Sequence, residues 1–262
     1  MRPLAVIALL LASATGWPQE QTGEKPAIAA PEPERRPRYQ KGVFILTGLL
    51  YDQAAEGVDR STVALPELVR FFKKATPLKT EILWNERTLS NPHFTEAALV
   101  VLTGDEALLR FAAEEKKRLG EYLLGGGLLF AEDVRLEPVR GRRTVGDVGG
   151  VAGTPFDRQF KALMKDPVVL GSQGVRWERV PKTHPLYSSF FDFPDGPPLV
   201  SARGGHIRDL EMIEVRGRVA VIFSDLNISA HWGNLEAQGR DRHLQFGVNL
   251  IVFAMTQQAA GF

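Results

Sequence analysis

Residues 123–133 read LLGGGLLFAED. An apolar helix end is followed by three glycines, which break the helix, and then by the continuously apolar run of residues 128–131. A short apolar run between turn signals predicts a strand that is buried on both faces, as in a parallel sheet. Glu132 and Asp133 follow this run, and ligands of open α/β sheets bind at the carboxyl ends of the strands. We therefore expect two carboxylates at a ligand-binding edge.

Strand-length apolar runs alternate with helical periodicity on both sides of this stretch. The predicted elements are a strand at 42–51, a helix through 65–72, strands at 80–83 and 98–103, a helix over 113–124, a strand at 128–131, a helix from 155, a hairpin of 212–215 and 218–223, and a helix over 241–258. This order predicts an α/β fold with a mostly parallel sheet, helices on both faces and a C-terminal hairpin extension. The aromatic, Pro-rich stretch 177–198 has no clear period, so we expect an ordered loop layer there.

Composition restricts the class of protein. A chain of 262 residues that is 44% hydrophobic can bury one substantial core. Its 32 basic and 31 acidic residues nearly balance. The protein surface as a whole therefore has no net positive potential that would attract nucleic acid or anionic lipid. The absence of cysteine excludes disulfides, thiolate metal sites, a cysteine nucleophile and lipidation through cysteine.

The N-terminus is typical of a secretory signal peptide. Arg2 precedes an apolar run over residues 4–11, and the small residues 12–14 suit a signal peptidase. The run is far shorter than the ~20 residues that span a bilayer, although retention as an uncleaved anchor is the alternative. The sequence thus predicts a signal peptide over 1–14 and export to a bacterial periplasm, with membrane contact only through this segment or a partner.

The remaining chain divides into three parts. Residues 15–40 are rich in proline and charge and poor in large apolar side chains, which predicts a flexible linker. Residues 41–258 carry all the predicted strands and helices and form a single α/β domain. Residues 259–262 are a tail.

Acidic residues follow several of the predicted strands. These residues are Asp52, Asp105, Glu132, Asp133 and Asp225. If the strands are parallel neighbours, several of the carboxylates share one edge, where hard oxygen ligands could hold a divalent cation such as Mg²⁺ or Ca²⁺. The alternative is that these side chains cap helices or stay solvated, in which case no cofactor is bound.

The segment 135–153 is rich in arginine and glycine. Arg142 and Arg143 precede several glycines, and guanidinium groups with exposed backbone N–H donors could surround an anion. The segment lacks the GK[ST] ending of a phosphate-binding Walker loop. The alternative is a solvated loop without a ligand.

His231 and Trp232 follow the predicted strand that ends near Asp225. They could border the same ligand-binding edge, with Trp232 stacking on a sugar or peptide ring. The alternative is that the pair packs against the final helix, with the histidine bonded to a carbonyl group.

Several motifs together resemble a known family. They are TVALPELVRFF (62–72), LTG (102–104), LLGGGLLFAED (123–133), FD (156–157), THPLYSSF (183–190), GRVAVIFSD (217–225) and GVNLIVFAMT (247–256). Their order and spacing resemble the bacterial family known as domain of unknown function 4159. The resemblance implies a flavodoxin-like domain similar to class I glutamine amidotransferases, often in exported or membrane-associated proteins, and no established reaction.

The chain departs from the amidotransferase and family patterns at chemically important positions. Amidotransferases of this fold carry a cysteine directly after the strand that corresponds to 128–131, where this chain has Glu132. The family usually has histidine after LTG, where this chain has Asp105, and the segment 228–231 is ISAH rather than glycine-rich with a cysteine. Neither Ser224 nor any other serine lies in a GxSxG nucleophile elbow.

The sequence therefore predicts a noncatalytic envelope domain, which binds a protein or glycan ligand or acts as a scaffold, with no assigned catalytic residues. The competing class is a metal-assisted or carboxylate-dependent hydrolase of glycan or amide bonds. A third class is a partner-binding module, which predicts an exposed apolar patch around Phe190, Phe191 and Phe193. The sequence leaves the oligomeric state open.

Overall fold

A computed structural model describes residues 42–51, 61–104, 108–134, 155–173, 175–199 and 209–259. The predicted signal peptide and linker, and all but the first residue of the predicted tail, lie outside these ranges and stay predictions. Among the described residues, no helix combines the length and apolar character needed to cross a bilayer.

Seven strands in the described part of the chain form one sheet. They are β1 (Val43–Leu50), β2 (Glu81–Thr88), β3 (Leu99–Gly104), β4 (Leu128–Asp133), β5 (Trp177–Arg179), β6 (Glu211–Val215) and β7 (Arg218–Ser224). Their spatial order is β2-β1-β3-β4-β7-β6-β5. The first five strands in this order are parallel, and β6 and β5 are antiparallel to their neighbours. The predicted mostly parallel α/β sheet with a hairpin extension is confirmed and is consistent with a flavodoxin-like fold.

Among the residues that the structure describes, five α-helices accompany the sheet. They are α1 (Ser61–Ala75), α2 (Ala113–Leu124), α3 (Pro155–Met164), α4 (Ile228–Gly233) and α5 (Arg240–Ala259). Two hydrophobic layers lie on opposite faces of the sheet, and the alternation of side chains along the strands explains the division. In β3, Leu99 and Val101 pack with α1 and α5, whereas Val100 and Leu102 pack with α2 and α3. Helices therefore cover both faces.

The hairpin between β6 and β7 follows from its two turn residues. Arg216 and Gly217 both have positive φ, 55° and 72°, as a two-residue type I′ turn requires. Glycine reaches this conformation without steric cost. The turn lets β6 extend the sheet antiparallel beside β7, which itself runs parallel to β4.

The structure differs from expectation in four places. β4 continues to Asp133, so Glu132 and Asp133 end this strand rather than follow it. α1 begins at Ser61, about one turn before the apolar stripe at 65–72 from which the helix was predicted. β2 continues to Thr88 because its polar second half pairs with β1 through backbone groups. Within the stretch expected to be loop, residues 177–179 form β5, a strand too short to show a period.

The apolar patch predicted around Phe190, Phe191 and Phe193 is only partly exposed. Phe190 is 36% exposed, whereas Phe193 is 2% exposed. Phe193 packs edge-on against Phe246 and lies beneath the guanidinium group of Arg242. Most of this cluster therefore belongs to the contact between the loop and α5.

Candidate functional site

The carboxyl ends of β3, β4 and β7 meet at one edge of the sheet. Glu132 lies opposite Ser224 of β7, and Asp133 lies opposite Gly104 of β3. Asp225 directly follows β7. The structure therefore brings three of the predicted acidic residues to the same edge, and the register of the strands is the cause.

The Glu132 side chain is completely buried and accepts four hydrogen bonds. Oε1 accepts from Ser224 Oγ at 2.7 Å and from the backbone N–H of Ile228 at 2.6 Å. Oε2 accepts from the backbone N–H of Ser229 at 2.6 Å and from the Ser229 hydroxyl. Burial raises the pKa of Glu132, and these four donors, which favour the ionised form, oppose the rise.

The two backbone donors come from the first turn of α4. N–H groups at a helix start have no partner within the helix, so a carboxylate there is stabilised. Asn227 precedes the helix with a left-handed φ of 58°, a conformation that asparagine tolerates better than most residues. Glu132 thus caps α4, although the residue and the helix lie far apart in the sequence. Helix capping was one of the alternatives for the carboxylates at the strand ends.

The other acidic residues differ in their exposure. Asp133 is fully buried, whereas Asp225 is partly exposed. Asp52 and Asp105 lie outside the described residues, as do Arg142 and Arg143, so the predictions for these four stay untested. Among the described residues, no three acidic or histidine side chains are grouped so that they could hold a metal ion.

His231 and Trp232 occupy the positions that the packing alternative expected. The Trp232 ring is fully buried, lies 6.0 Å from the Phe130 ring between centroids, and donates its Nε1–H to the carbonyl O of His243 at 2.9 Å. His231 Nδ1 lies 2.9 Å from the carbonyl O of Asn227. In this structure the Trp232 ring has no solvent-facing surface on which a ligand could stack.

The two serine hydroxyls near Glu132 both donate to its carboxylate rather than to an imidazole. Ser224 and Ser229 are each 1% exposed. A nucleophilic hydroxyl needs a base that removes its proton and access to the substrate. The arrangement therefore positions α4 against the sheet and keeps both hydroxyls buried.

A buried ionic cluster lies beside the end of β7 and was not predicted from the sequence. Lys161 Nζ lies 3.0 Å from Asp157 Oδ1 and 2.8 Å from Glu211 Oε2. The ammonium group also lies 4.9 Å from the ring centroid of Phe223, which faces Glu211 in the hairpin. The FD motif, which includes Asp157, and the four-residue spacing to Lys161 on an otherwise apolar helix face were the signals in the sequence.

The chain matches the model of a protein family. The family described as domain of unknown function (DUF4159) matches residues 46–255. No curated protein matches the chain.

Proposed function

The chain belongs to the family of the domain of unknown function DUF4159, and we propose that it serves as an exported, noncatalytic domain of the bacterial cell envelope. It binds a protein or glycan ligand at the carboxyl edge of its sheet, or holds a partner there as a scaffold. Export brings it into contact with these ligands, and the N-terminal pattern around Arg2 supports that export.

The state of Glu132 carries this proposal. In the amidotransferases that the sequence resembles, the nucleophile follows the strand that was predicted to end at Ala131, whereas here Glu132 is one of the last two residues of β4. Here both carboxylate oxygens each accept two hydrogen bonds and the side chain is shielded from solvent. Attack on a substrate would require Glu132 to give up these donors and leave them buried without acceptors, which is costly.

Asp225 is the acidic side chain of this edge that supports ligand contact. It lies on the same edge as Glu132, because it follows β7, and the residue is partly exposed although its Oδ1 atom is buried. Carboxylates accept hydrogen bonds from sugar hydroxyls and from peptide N–H groups. A glycan or an extended envelope protein supplies such donors.

The binding test is capture from an envelope extract of the host with immobilised wild-type chain and two variants. Asp225→Asn keeps the size of the side chain and removes its charge. Glu121→Gln makes the same change at an exposed position at the end of α2, which lies toward the amino end of β4. We expect one ligand to be retained by the wild type and Glu121→Gln and lost with Asp225→Asn. Equal retention by all three would contradict binding at this edge.

A separate measurement tests the absence of catalysis. The wild-type chain is incubated with envelope glycan strands and with peptides, with and without Mg²⁺, and release of reducing ends or amines is followed. We expect no turnover. Turnover that is lost in Asp225→Asn, while its fold is retained, would favour the hydrolase instead.

The export proposal is tested by the mass of the chain recovered from its host. A periplasmic fraction should contain a chain that begins at Thr15, because the small residues 12–14 precede that position. Recovery of the chain from the cytoplasm with residues 1–14 still attached would overturn the export proposal.

A further inference from the structure

Strand β2 lies at one end of the sheet, and among the described residues it pairs with β1 alone. The backbone N–H of Glu81 donates to the carbonyl O of Gly42 at 2.7 Å. Backbone groups alternate in direction along a strand, so those of Ile82 and Trp84 point away from β1. The outer side of β2 therefore presents a row of donors and acceptors that can pair with another strand.

The side chains of β2 do not block this edge. Leu83 is 45% exposed and Trp84 is 39% exposed, and consecutive residues of a strand lie on opposite faces of the sheet. The strand is eight residues long and contains no proline. Exposed apolar side chains on a long edge strand are a feature of strand-pairing surfaces.

We propose that β2 pairs antiparallel with β2 of a second copy of this chain, around a two-fold axis at Trp84. This inference goes beyond ligand binding at the carboxyl edge and does not depend on it. A two-fold axis that reverses the strand direction stands perpendicular to the sheet and keeps each side chain on its own face. Two residues that lie opposite each other must then be on the same face, so their sequence numbers differ by an even number. The axis, which lies midway between them, therefore passes through a residue.

The charges of β2 select the register. With the axis at Trp84, Glu81 lies opposite Arg87 of the second copy, and the same contact occurs again by symmetry. Opposite charges that face each other across strands stabilise the pair. The two Trp84 residues also exchange both backbone hydrogen bonds, because their backbone groups point outward.

The neighbouring registers lack this complementarity. With the axis at Leu83, Lys79 would face Arg87, which places two like charges opposite each other. With the axis at Asn85, Leu83 would face Arg87. The self-complementary arrangement of charge is the reason to prefer a second copy over an unrelated strand as the occupant.

The test measures the dimer dissociation constant by sedimentation equilibrium for the wild-type chain and for charge-reversed variants. We expect the wild type to form dimers and Glu81→Arg and Arg87→Glu each to weaken dimerisation about tenfold, since each reversal replaces two attractive pairs with repulsive ones. The double variant Glu81→Arg/Arg87→Glu restores both pairs with exchanged signs and should dimerise like the wild type. A single cooperative thermal transition in each variant shows that it folds.

A control separates the pair across the interface from local contacts of Arg87. Within its own chain, Arg87 donates to the carbonyl O of His93 and lies 3.5 Å from Glu96 Oε2. Glu96→Gln weakens the local ion pair and should leave the dissociation constant unchanged. A monomeric wild type, or single reversals without effect, would overturn the proposal. A chain that dimerises only after deletion of residues 15–40 would overturn it too, because the linker would then be the occupant.

Discussion

The imidazole rings of His231 and His243 stack nearly parallel, with their centroids 4.2 Å apart and an interplanar angle of 16°. In both residues Nδ1 lies beside the carbonyl O four positions earlier, at 2.9 Å from Asn227 and 3.0 Å from Gly239. A carbonyl only accepts, so Nδ1 carries the proton in each ring. Burial lowers the pKa of His243 to about 4, the hydrogen bond to Gly239 opposes this shift, and the neighbouring His231 adds to it. The packing of α4 on α5 therefore favours a neutral His243.

The first prediction is a loss of stability in mild acid. The unfolded chain takes up a proton at His243 near the ordinary pKa of 6.5, whereas the folded chain does so only near 4. The contribution of neutral His243 to the unfolding free energy is therefore complete above pH 6.5 and is lost as the pH falls toward 4. From the two pKa values it amounts to ~3 kcal/mol. Urea unfolding at a series of pH values between 4 and 7.5 measures it.

Two variants assign this pH dependence to the buried ring. His243→Phe keeps an aromatic ring beside His231 but cannot take up a proton, so its unfolding free energy should decline less between pH 6.5 and 4. Lys117→Gln alters an exposed side chain of α2 and should retain the wild-type dependence. A His243→Phe curve parallel to that of the wild type would contradict the prediction.

The second prediction concerns Glu132→Gln. The amide keeps the shape of the side chain, but its NH₂ group must face two of the four donors that the carboxylate now accepts. We expect the unfolding free energy at pH 7 to fall by about 2–4 kcal/mol, because buried donors lose their acceptors. Urea denaturation measures this loss. The exposed variant Glu121→Gln should change the value by less than ~0.5 kcal/mol.

The same variant should alter the pH dependence in the opposite sense to His243→Phe. Burial raises the pKa of Glu132 above its ordinary value of 4.5. Its contribution to the unfolding free energy is therefore complete below pH 4.5 and is lost as the pH rises through the pKa of the folded state. Glu132→Gln lacks this decline. A variant as stable as the wild type at all pH values would show that the four hydrogen bonds are not formed.

The elements with strong local signals were predictable from the sequence. The periodic stripe and Gly125 placed α2 at residues 113–124, where the structure has it. Arg216 and Gly217 separated two apolar runs and predicted the hairpin. Both depend on contacts between residues that are close in the chain, so the pattern contains the necessary information.

The site was less predictable because its contacts join distant parts of the chain. The position of Glu132 at a strand end was correct, but its donors Ile228 and Ser229 lie 96 and 97 positions away. Apolar periodicity cannot show which helix start approaches which strand end. The sequence also left both alternatives open for Trp232, since an aromatic residue near a ligand-binding edge fits either a binding surface or the core.

The third prediction concerns Lys161→Met. Methionine fills a similar volume beneath the ring of Phe223, but the carboxylates of Asp157 and Glu211 lose their contact with the ammonium group. Removing one partner from a buried ionic cluster costs about 3–5 kcal/mol, and denaturant unfolding would measure this loss. Lys165→Met, at an exposed position one turn later in sequence, is the matched control and should be nearly neutral. Similar values for the two variants would contradict a structural role for the cluster.

The fourth prediction concerns the close packing at Gly104, which lies opposite Asp133. A Cβ atom at this position would lie 2.3 Å from Phe156 Cδ2 and 2.6 Å from Tyr51 Oη. Gly104→Ala should therefore lower the unfolding free energy by about 1–3 kcal/mol, as overpacking does. In a thermal or urea unfolding series, the double variant Gly104→Ala/Phe156→Leu should lose less than the sum of the two single variants, since the smaller side chain makes room. Strict additivity would show that the two residues do not clash.

The fifth prediction concerns divalent cations. Glu132 already uses both oxygens for hydrogen bonds, so coordination would require the loss of buried donors, and we expect millimolar Mg²⁺ or Ca²⁺ to leave the melting temperature unchanged. A cation present at a hundred times its dissociation constant would add about 2.7 kcal/mol of stability, which corresponds to a rise of roughly 5–10 °C for a domain of this size. Differential scanning calorimetry with and without chelator resolves such a rise. If a rise occurs and Asp133→Asn abolishes it while Glu121→Gln does not, the carboxyl edge binds a metal, and the metal-assisted hydrolase becomes the better explanation.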